Sequence, residues 1–264
     1  MNCLLLPMPH FADLSSSQRT AIINAPKQLE HIHHVLNAKV GDTLKIGQIG
    51  GNLGTAVIQS MNPDHIQLIE VELNTPPPDK LEVTVILALP RPKVLRRLIM
   101  DMTALGVRDI VLINSYRTQK SYWQSPMLAR LDEFVLEGLQ QGVDTRAPTI
   151  TLQKRFKPFV EDELAALIAD GHAIVAHPYS NRSLAQYLQQ HSDLPLADSV
   201  SHLSQVSKNS LPSVVCIGSE GGWIDYEIDL FASQGCHAVT IGSRVLRTEA
   251  AVNVILGQWL IHSS

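Results

Sequence analysis

Ile241-Gly242-Ser243-Arg244-Val245-Leu246-Arg247-Thr248-Glu249-Ala250-Ala251 reads as a strand end, a tight turn and a helix start, with arginines and a glutamate crowded at the turn. Upstream lies a second glycine-rich turn, Ile217-Gly218-Ser219-Glu220-Gly221-Gly222-Trp223. Glycine lets main chain approach a ligand closely because it has no Cβ. Together the two turns describe a small-molecule pocket built mainly from backbone. The charges above it suit an anionic or nucleic-acid substrate.

Working outward, apolar runs at Val83–Leu89, Asp109–Ile113, Ala173–Ala176, Val214–Ile217 and His237–Ile241 read as buried strands. Helices are expected between them. Pro92 opens one with Leu95, Leu98, Ile99 and Met102 on a face and Gly106 at its end. Others are expected at Pro126–Gln141 and Val160–Asp170. Asp225 is expected to cap a helix with Ile228, Phe231 and Ala232 on one face and Gly235 closing it. Thr248 is expected to cap a last helix that aligns Ala251, Ile255 and Trp259. Strands alternating with helices predict a parallel α/β sheet. Ligands in such sheets bind at the carboxyl ends of strands, where both glycine turns and Ala176-His177-Pro178 fall. The polar, Ser-rich residues 190–212 read as a surface loop.

Asn74-Thr75-Pro76-Pro77-Pro78-Asp79 marks a boundary, since three prolines cannot enter a helix or central strand. Before it, Thr43–Ile46, Leu53–Ser60 and His65–Glu72 read as strands and Gln28–Leu36 as a helix. Residues 1–74 are therefore expected to form a small β-rich barrel, and residues 80–264 the α/β domain.

Known phosphate and nucleophile motifs are missing from the glycine turns: there is no G-x-G-x-x-G, no Gly-Lys-Ser/Thr, and isoleucine stands at 217 where a nucleophile elbow needs glycine. Glu220 reads either as a base or as an acceptor for local amides. Arg247 reads either as an anion grip or as a brace paired with Glu249. His31, His33 and His34 do not share one helix face and lack a third ligand, so no metal is expected. Cys3, Cys216 and Cys236 lack the spacing of a disulfide framework or a zinc site.

Net charge is −4, which excludes indiscriminate nucleic-acid binding, but the charge is unevenly spread. Residues 81–160 carry twelve Lys and Arg against seven Asp and Glu. Arg91, Lys93, Arg96, Arg97, Arg117 and Lys120 form a basic patch, followed by Lys154, Arg155 and Lys157; it reads as a phosphate footprint or a solvated face. With no long apolar run and no basic, apolar leader, a cytoplasmic protein without a membrane contact is expected.

At these motifs the chain resembles the 16S ribosomal RNA (uracil-N3)-methyltransferase family of the SPOUT superfamily. The resemblance rests on Ile217–Gly222 and Ile241–Ala251, on Leu87-Ala88-Leu89-Pro90 with Leu105-Gly106-Val107, and on His33-His34-Val35-Leu36 with Val40-Gly41-Asp42. It implies a PUA-like β-barrel, then a SPOUT parallel sheet whose C-terminal segment threads a deep trefoil knot. It implies S-adenosylmethionine held by Ala176, His177, Pro178, Ile217, Gly218, Gly221, Gly222, Ile241, Gly242, Val245, Leu246, Thr248 and Ala251. A homodimer is also implied, with ribosomal RNA or the small ribosomal subunit as partner and Arg91, Lys93, Arg96, Arg97, Arg117 and Lys120 on phosphates. The implied chemistry methylates uracil N3, with Arg247 stabilising the base anion and Glu220 or Glu249 orienting the base or taking its proton. Ser219 and Ser243 stand where the family has proline, and Asn37 and Val143 where it has arginine. A diverged paralogue acting on another RNA, or a non-catalytic RNA-binding or ribosome-assembly protein, shares the same outline.

Overall fold

The computed structural model describes residues 2–12, 19–191 and 211–262. The expected loop at 190–212 lies largely outside them. The chain forms two compact units, Met1–Asp79 with Val135–Ala147, and Lys80–Phe134 with Pro148–Ser264.

The first unit is a curled six-stranded sheet in the order β1-β4-β5-β6-β3-β2. Its strands are β1 (Leu4–Leu6), β2 (Phe11–Ala12), β3 (Thr20–Ile23), β4 (Thr43–Gln48), β5 (Leu53–Met61) and β6 (Ile66–Thr75). Only β1 and β4 run parallel. Leu6, Ile23, Ile46, Ile58, Ile66 and Leu68 alternate inward and are buried, with Ile32 closing over them. The expected helix at Gln28–Leu36 is a short α1 (Pro26–Glu30) that widens into one π turn, His31–Val35. Beside it burial pushes the Cys3 thiol up to about 11, against the lowering pull of Lys45. Such a thiol carries little thiolate at neutral pH and is an inert packing group.

Val135–Ala147, inside the span expected for the α/β domain, belongs with this first unit. Its Gln140 accepts a hydrogen bond from Gln28 Nε2 at 3.0 Å, and Thr145 is fully buried. Asn37 and Val143 both hold left-handed backbone, with φ of +50° and +55°. Asparagine tolerates that region; a β-branched valine there is strained.

The second unit is a six-stranded, wholly parallel sheet in the order β12-β10-β11-β7-β8-β9. Its strands are β7 (Leu81–Ala88), β8 (Val107–Ile113), β9 (Thr149–Gln153), β10 (Ala173–Ala176), β11 (Val214–Ile217) and β12 (Cys236–Val239). Its helices are α2 (Pro92–Ala104), α4 (Phe156–Asp162), α5 (Leu164–Ile168), α6 (Leu184–Gln190), α7 (Asp225–Ser233) and α8 (Thr248–His262), while α3 (Leu131–Gly142) belongs mostly to the first unit. Ile86, Val111, Phe159, Val175, Cys216 and Phe231 fill one core cluster. Burial, with Cys236 alongside, raises the Cys216 thiol.

Several boundaries differ from expectation, for local reasons. The helix expected at Pro126–Gln141 opens as a 3-10 turn, Pro126–Arg130, with the Ser125 hydroxyl accepting from the Met127 amide, before α3 begins at Leu131. The one expected at Val160–Asp170 starts earlier and breaks at Glu163 into α4 and α5. Asp225 is the first residue of α7 rather than its cap, and Ala232 is exposed, so the buried face is carried by Phe231 and Glu227. The last strand stops at Val239, although Thr240 still bridges to Ser183. Thr248 lies within α8, and its hydroxyl faces the Gly218 carbonyl at 3.4 Å instead of capping the helix.

Helix α6 begins on a capping box formed by Ser183 and Gln186. It lays Tyr187 and His191 beside His172 and His237. The His172 and His191 ring centroids are 4.4 Å apart, those of Tyr187 and His237 5.5 Å. Arg182 stacks on Tyr187, whose hydroxyl burial pushes up to about 12. Burial first, then nearby positive groups, holds the His172 and His237 imidazoles below 6.5. As pH falls through about 6.5 the unfolded chain therefore takes up protons before the folded one. Stability is full above that point and declines below it. The melting temperature of the wild type should fall between pH 7.5 and 5.5 more steeply than that of His172→Gln/His237→Gln; equal slopes would exclude the cluster as the cause.

Candidate active site

The carboxyl ends of β10, β11 and β12 open onto a cavity of about 740 Å³. That is the size of a cofactor site. Its walls are Ala176–Tyr179, Ile217–Trp223, Thr240–Ile241, Arg244–Glu249 and Ala251, with Arg91, Val94 and Arg117 at one side. Of the residues expected to hold a cofactor, Gly242 alone is not on the wall. Arg247, Glu220 and Glu249 all are.

Each loop is held by the strand before it and by its neighbours. The Gly222 amide donates to the Ser219 carbonyl at 2.8 Å, which folds Gly218–Gly222 back on itself. A Cβ on Gly218 would lie 2.9 Å from Gly222 Cα, so this close approach excludes any other residue. Gly222 itself has φ of +69°. Trp223 anchors the loop from below, with its ring 5.1 Å from Phe231 and 5.9 Å from Phe156. The loop after β12 is tied to the loop after β10: the His177 amide donates to the Val239 carbonyl at 2.9 Å, and the Thr240 amide to the Arg182 carbonyl at 2.8 Å.

The charged groups divide by role. The Glu220 carboxylate accepts the Arg91 main-chain amide, 3.1 Å from Oε1 and 3.4 Å from Oε2, and so fastens this loop to the start of α2. Arg117 donates through Nη1 to the Gly221 carbonyl. Arg247 is exposed at the rim and forms no ion pair among the described residues, with Glu249 or any other, which removes the brace reading for it. Glu249 is half-buried in the first turn of α8.

A cavity with apolar patches from Ile217, Ile241 and Leu246, main-chain donors and acceptors between them, and arginines, Arg247 among them, at its mouth suits a nucleoside-like ligand and an anionic reacting group. Lys93, Arg96, Arg97 and Lys120 are exposed but lie off its walls. Among the described residues no cluster of His, Cys, Asp and Glu could hold a metal ion.

Comparison with known proteins agrees with this geometry. A family model for an RNA methyltransferase domain matches residues 77–260, and one for an RNA methyltransferase PUA domain matches residues 23–71. The chain belongs to this RNA methyltransferase family. It is 26% identical over 223 residues to "Ribosomal RNA small subunit methyltransferase E" of Treponema pallidum, covering 84% of this chain and 77% of the relative. It is 24% identical to "Ribosomal RNA small subunit methyltransferase E 1" of Borreliella burgdorferi, over 95% and 94% of the two chains. Among solved structures, a ribosomal RNA small subunit methyltransferase E from Neisseria gonorrhoeae bound to S-adenosyl methionine shares the fold. Its TM-score is 0.66 at 19% identity, over 97% of this chain and 95% of that one.

Sequence reasoning passed over several groups at this cavity. Tyr179 and Thr240 line the cavity. Glu227, 2% exposed, accepts the amides of Ile224 at 2.9 Å and Tyr116 at 2.8 Å, so one buried carboxylate supports two loops of the site. Its position three residues after the helix cap was the available signal, as half of a capping box. Glu227→Ala should lower the unfolding free energy by about 1–3 kcal/mol in urea titration, because two donors lose their acceptor. An unchanged midpoint would remove it from the loop scaffold.

Proposed function

We propose that this chain transfers a methyl group from S-adenosylmethionine to N3 of a uridine in the RNA of the small ribosomal subunit. The observation that carries the reading is the convergence of three main-chain loops on one cavity with an unpaired Arg247 at its mouth. The cavity fits the cofactor on its own terms: the Gly218–Gly222 approach leaves no room for a Cβ, and the wall offers backbone and apolar groups in the way a nucleoside needs. Ala176–Pro178, Ile217–Gly222 and Ile241–Ala251 would hold it. When bound, it supplies an electrophilic methyl on a sulfonium.

The chain's own residues then have separate tasks. Uracil N3 carries a proton that must leave for the nitrogen to attack, and Arg247 lowers that cost by pairing with the resulting anion. Glu249 orients the base or accepts its proton. Glu220 is occupied with the Arg91 amide and holds the loop in place. Arg91, Lys93, Arg96, Arg97, Arg117 and Lys120 position the RNA through its phosphates, and the barrel of residues 1–74 adds a second RNA contact to the catalytic domain of residues 80–264.

The strand order, with β10 inserted between β11 and β12, and the packing of α8 against α2 and β11 favour a trefoil knot in the C-terminal segment. Val254, Leu260 and Ile261 stay exposed on α8 and offer an apolar face for a second copy. Sedimentation of the full chain should return twice its mass of 29.1 kDa.

The deciding experiment is mass spectrometry of ribosomal RNA nucleosides from cells with and without the protein. Loss of N3-methyluridine from small-subunit RNA on deletion is expected; an unchanged nucleoside profile would overturn the assignment. Calorimetry with S-adenosylmethionine separates an enzyme from a non-catalytic RNA binder, which would give no heat.

A further inference from the structure

We propose that Tyr116 is a stacking platform for an unpaired RNA base beside the pocket, so that the target uridine is taken from a single-stranded segment. The inference rests on the RNA methyltransferase reading above and names the form of RNA it accepts. Tyr116 follows β8 and is 80% exposed, in a loop whose next residue, Arg117, lines the cavity.

The ring is left open to solvent, yet the turn that carries it is fastened along its length. The Tyr116 amide donates to the buried Glu227 carboxylate at 2.8 Å. Asn114 Oδ1 accepts from Trp123 Nε1 at 2.8 Å. The Ser115 and Thr118 hydroxyls lie 2.9 Å apart, and the Thr118 hydroxyl also donates to the Leu89 carbonyl at 3.2 Å. Arg117 is bound to the Gly221 carbonyl of the cofactor loop. Backbone is thus held rigid while the ring is kept in water. Pre-ordering an exposed ring in this way lowers the entropy cost of binding a flat partner.

Cations lie near Tyr116 along the chain and on the cavity wall: Arg117 is its neighbour and lines the cavity, as Arg91 does, and Lys120 is exposed in the turn that follows; Arg91 and Lys120 have no ion pair among the described residues. An exposed aromatic ring in a basic stretch of chain is the chemistry by which proteins hold unpaired nucleotides, with bases stacked and phosphates neutralised. A duplex hides its base faces, so only an unpaired strand can use the ring.

The test uses the full chain and two RNAs of equal length, an unpaired oligonucleotide with 2-aminopurine next to a uridine and a hairpin duplex of the same bases. Tyr116→Ala should weaken binding of the unpaired RNA about tenfold, abolish the quenching of 2-aminopurine, and leave both hairpin and S-adenosylmethionine affinities unchanged. Tyr116→Phe should bind and quench like the wild type, because the ring and not the hydroxyl makes the contact. Wild-type binding and quenching in Tyr116→Ala, or a loss in Tyr116→Phe as large as in Tyr116→Ala, would overturn the platform while the methyltransferase stands. A wild type that binds neither S-adenosylmethionine nor either RNA would overturn the function and the platform together.

Discussion

Arg247→Ala should lower the turnover of methyl transfer by about 10²–10³-fold, the usual cost of removing one stabilising group from a developing anion. The dissociation constant for S-adenosylmethionine should stay within about threefold, under 1 kcal/mol. Two facts make this split expected. Arg247 sits at the rim of the cavity and is not spent on an ion pair. The loops that would hold the cofactor are fastened by main-chain bonds that do not involve its side chain. The pH profile separates an electrostatic role from a structural one. If the arginine stabilises the uracil anion, raising the pH ionises the base without help, so the variant should regain activity in alkaline buffer faster than the wild type gains it. Arg247→Lys keeps a charge but loses the planar fork, and should fall between. Equal pH profiles, or near-normal turnover in the alanine variant, would assign the step to another group.

Gly218→Ala should weaken S-adenosylmethionine binding by roughly tenfold to a hundredfold, matching the 1–3 kcal/mol typical of overpacking. The added Cβ meets Gly222 Cα at 2.9 Å and Gly222 C at 3.1 Å, and both are main chain that can move only if the loop opens. Two neighbours supply the controls. At Gly221 the Cβ meets Arg117 Cβ and Cδ at 3.0 Å, a tight side-chain contact that a shift of a few tenths of an ångström relieves, so the loss should be smaller. At Gly242 nothing lies within 4 Å, and alanine should bind normally. Calorimetry across the three reads the gradient. Equal losses at all three positions would mean that the close approach at Gly218 does not shape the cavity.

The sheet of the second unit was legible because its strands are continuous apolar runs. Ala173–Ala176 and Val214–Ile217 fall where expected to the residue, since strands buried on both faces leave no polar interruption. Strand β9, Thr149–Gln153, was not legible: it is an edge strand, largely exposed, and its Thr and Gln resemble a loop. Helix α6 was missed because it is short and its polar residues, Gln186, Gln189 and Gln190, equal in number the buried Leu184, Tyr187 and Leu188. The strand order could not be read at all, because pairing β10 between β11 and β12 is a tertiary fact with no local signature. In the candidate site, the glycine turns stood out since a close approach demands glycine. Glu220 read as a base or as an acceptor for local amides, and nothing in the sequence shows that the amide it meets is that of Arg91, 129 residues away. Val143 is the reverse case. Valine gives no hint of left-handed backbone, and its φ of +55° is imposed by the loop it ends in.

That strand order also sets a timetable for synthesis. β7 pairs with β8, which follows it closely, but its other neighbour is β11, which begins at Val214. Helix α2 waits longer still for α8. Until those segments leave the ribosome, a nascent chain carries apolar strands with one open edge, the surface that invites aggregation. Because its walls run from Arg91 to Ala251, no part-made chain can own the pocket. Pairings so distant in sequence make folding slow, and the enzyme's first turnover comes only after that delay.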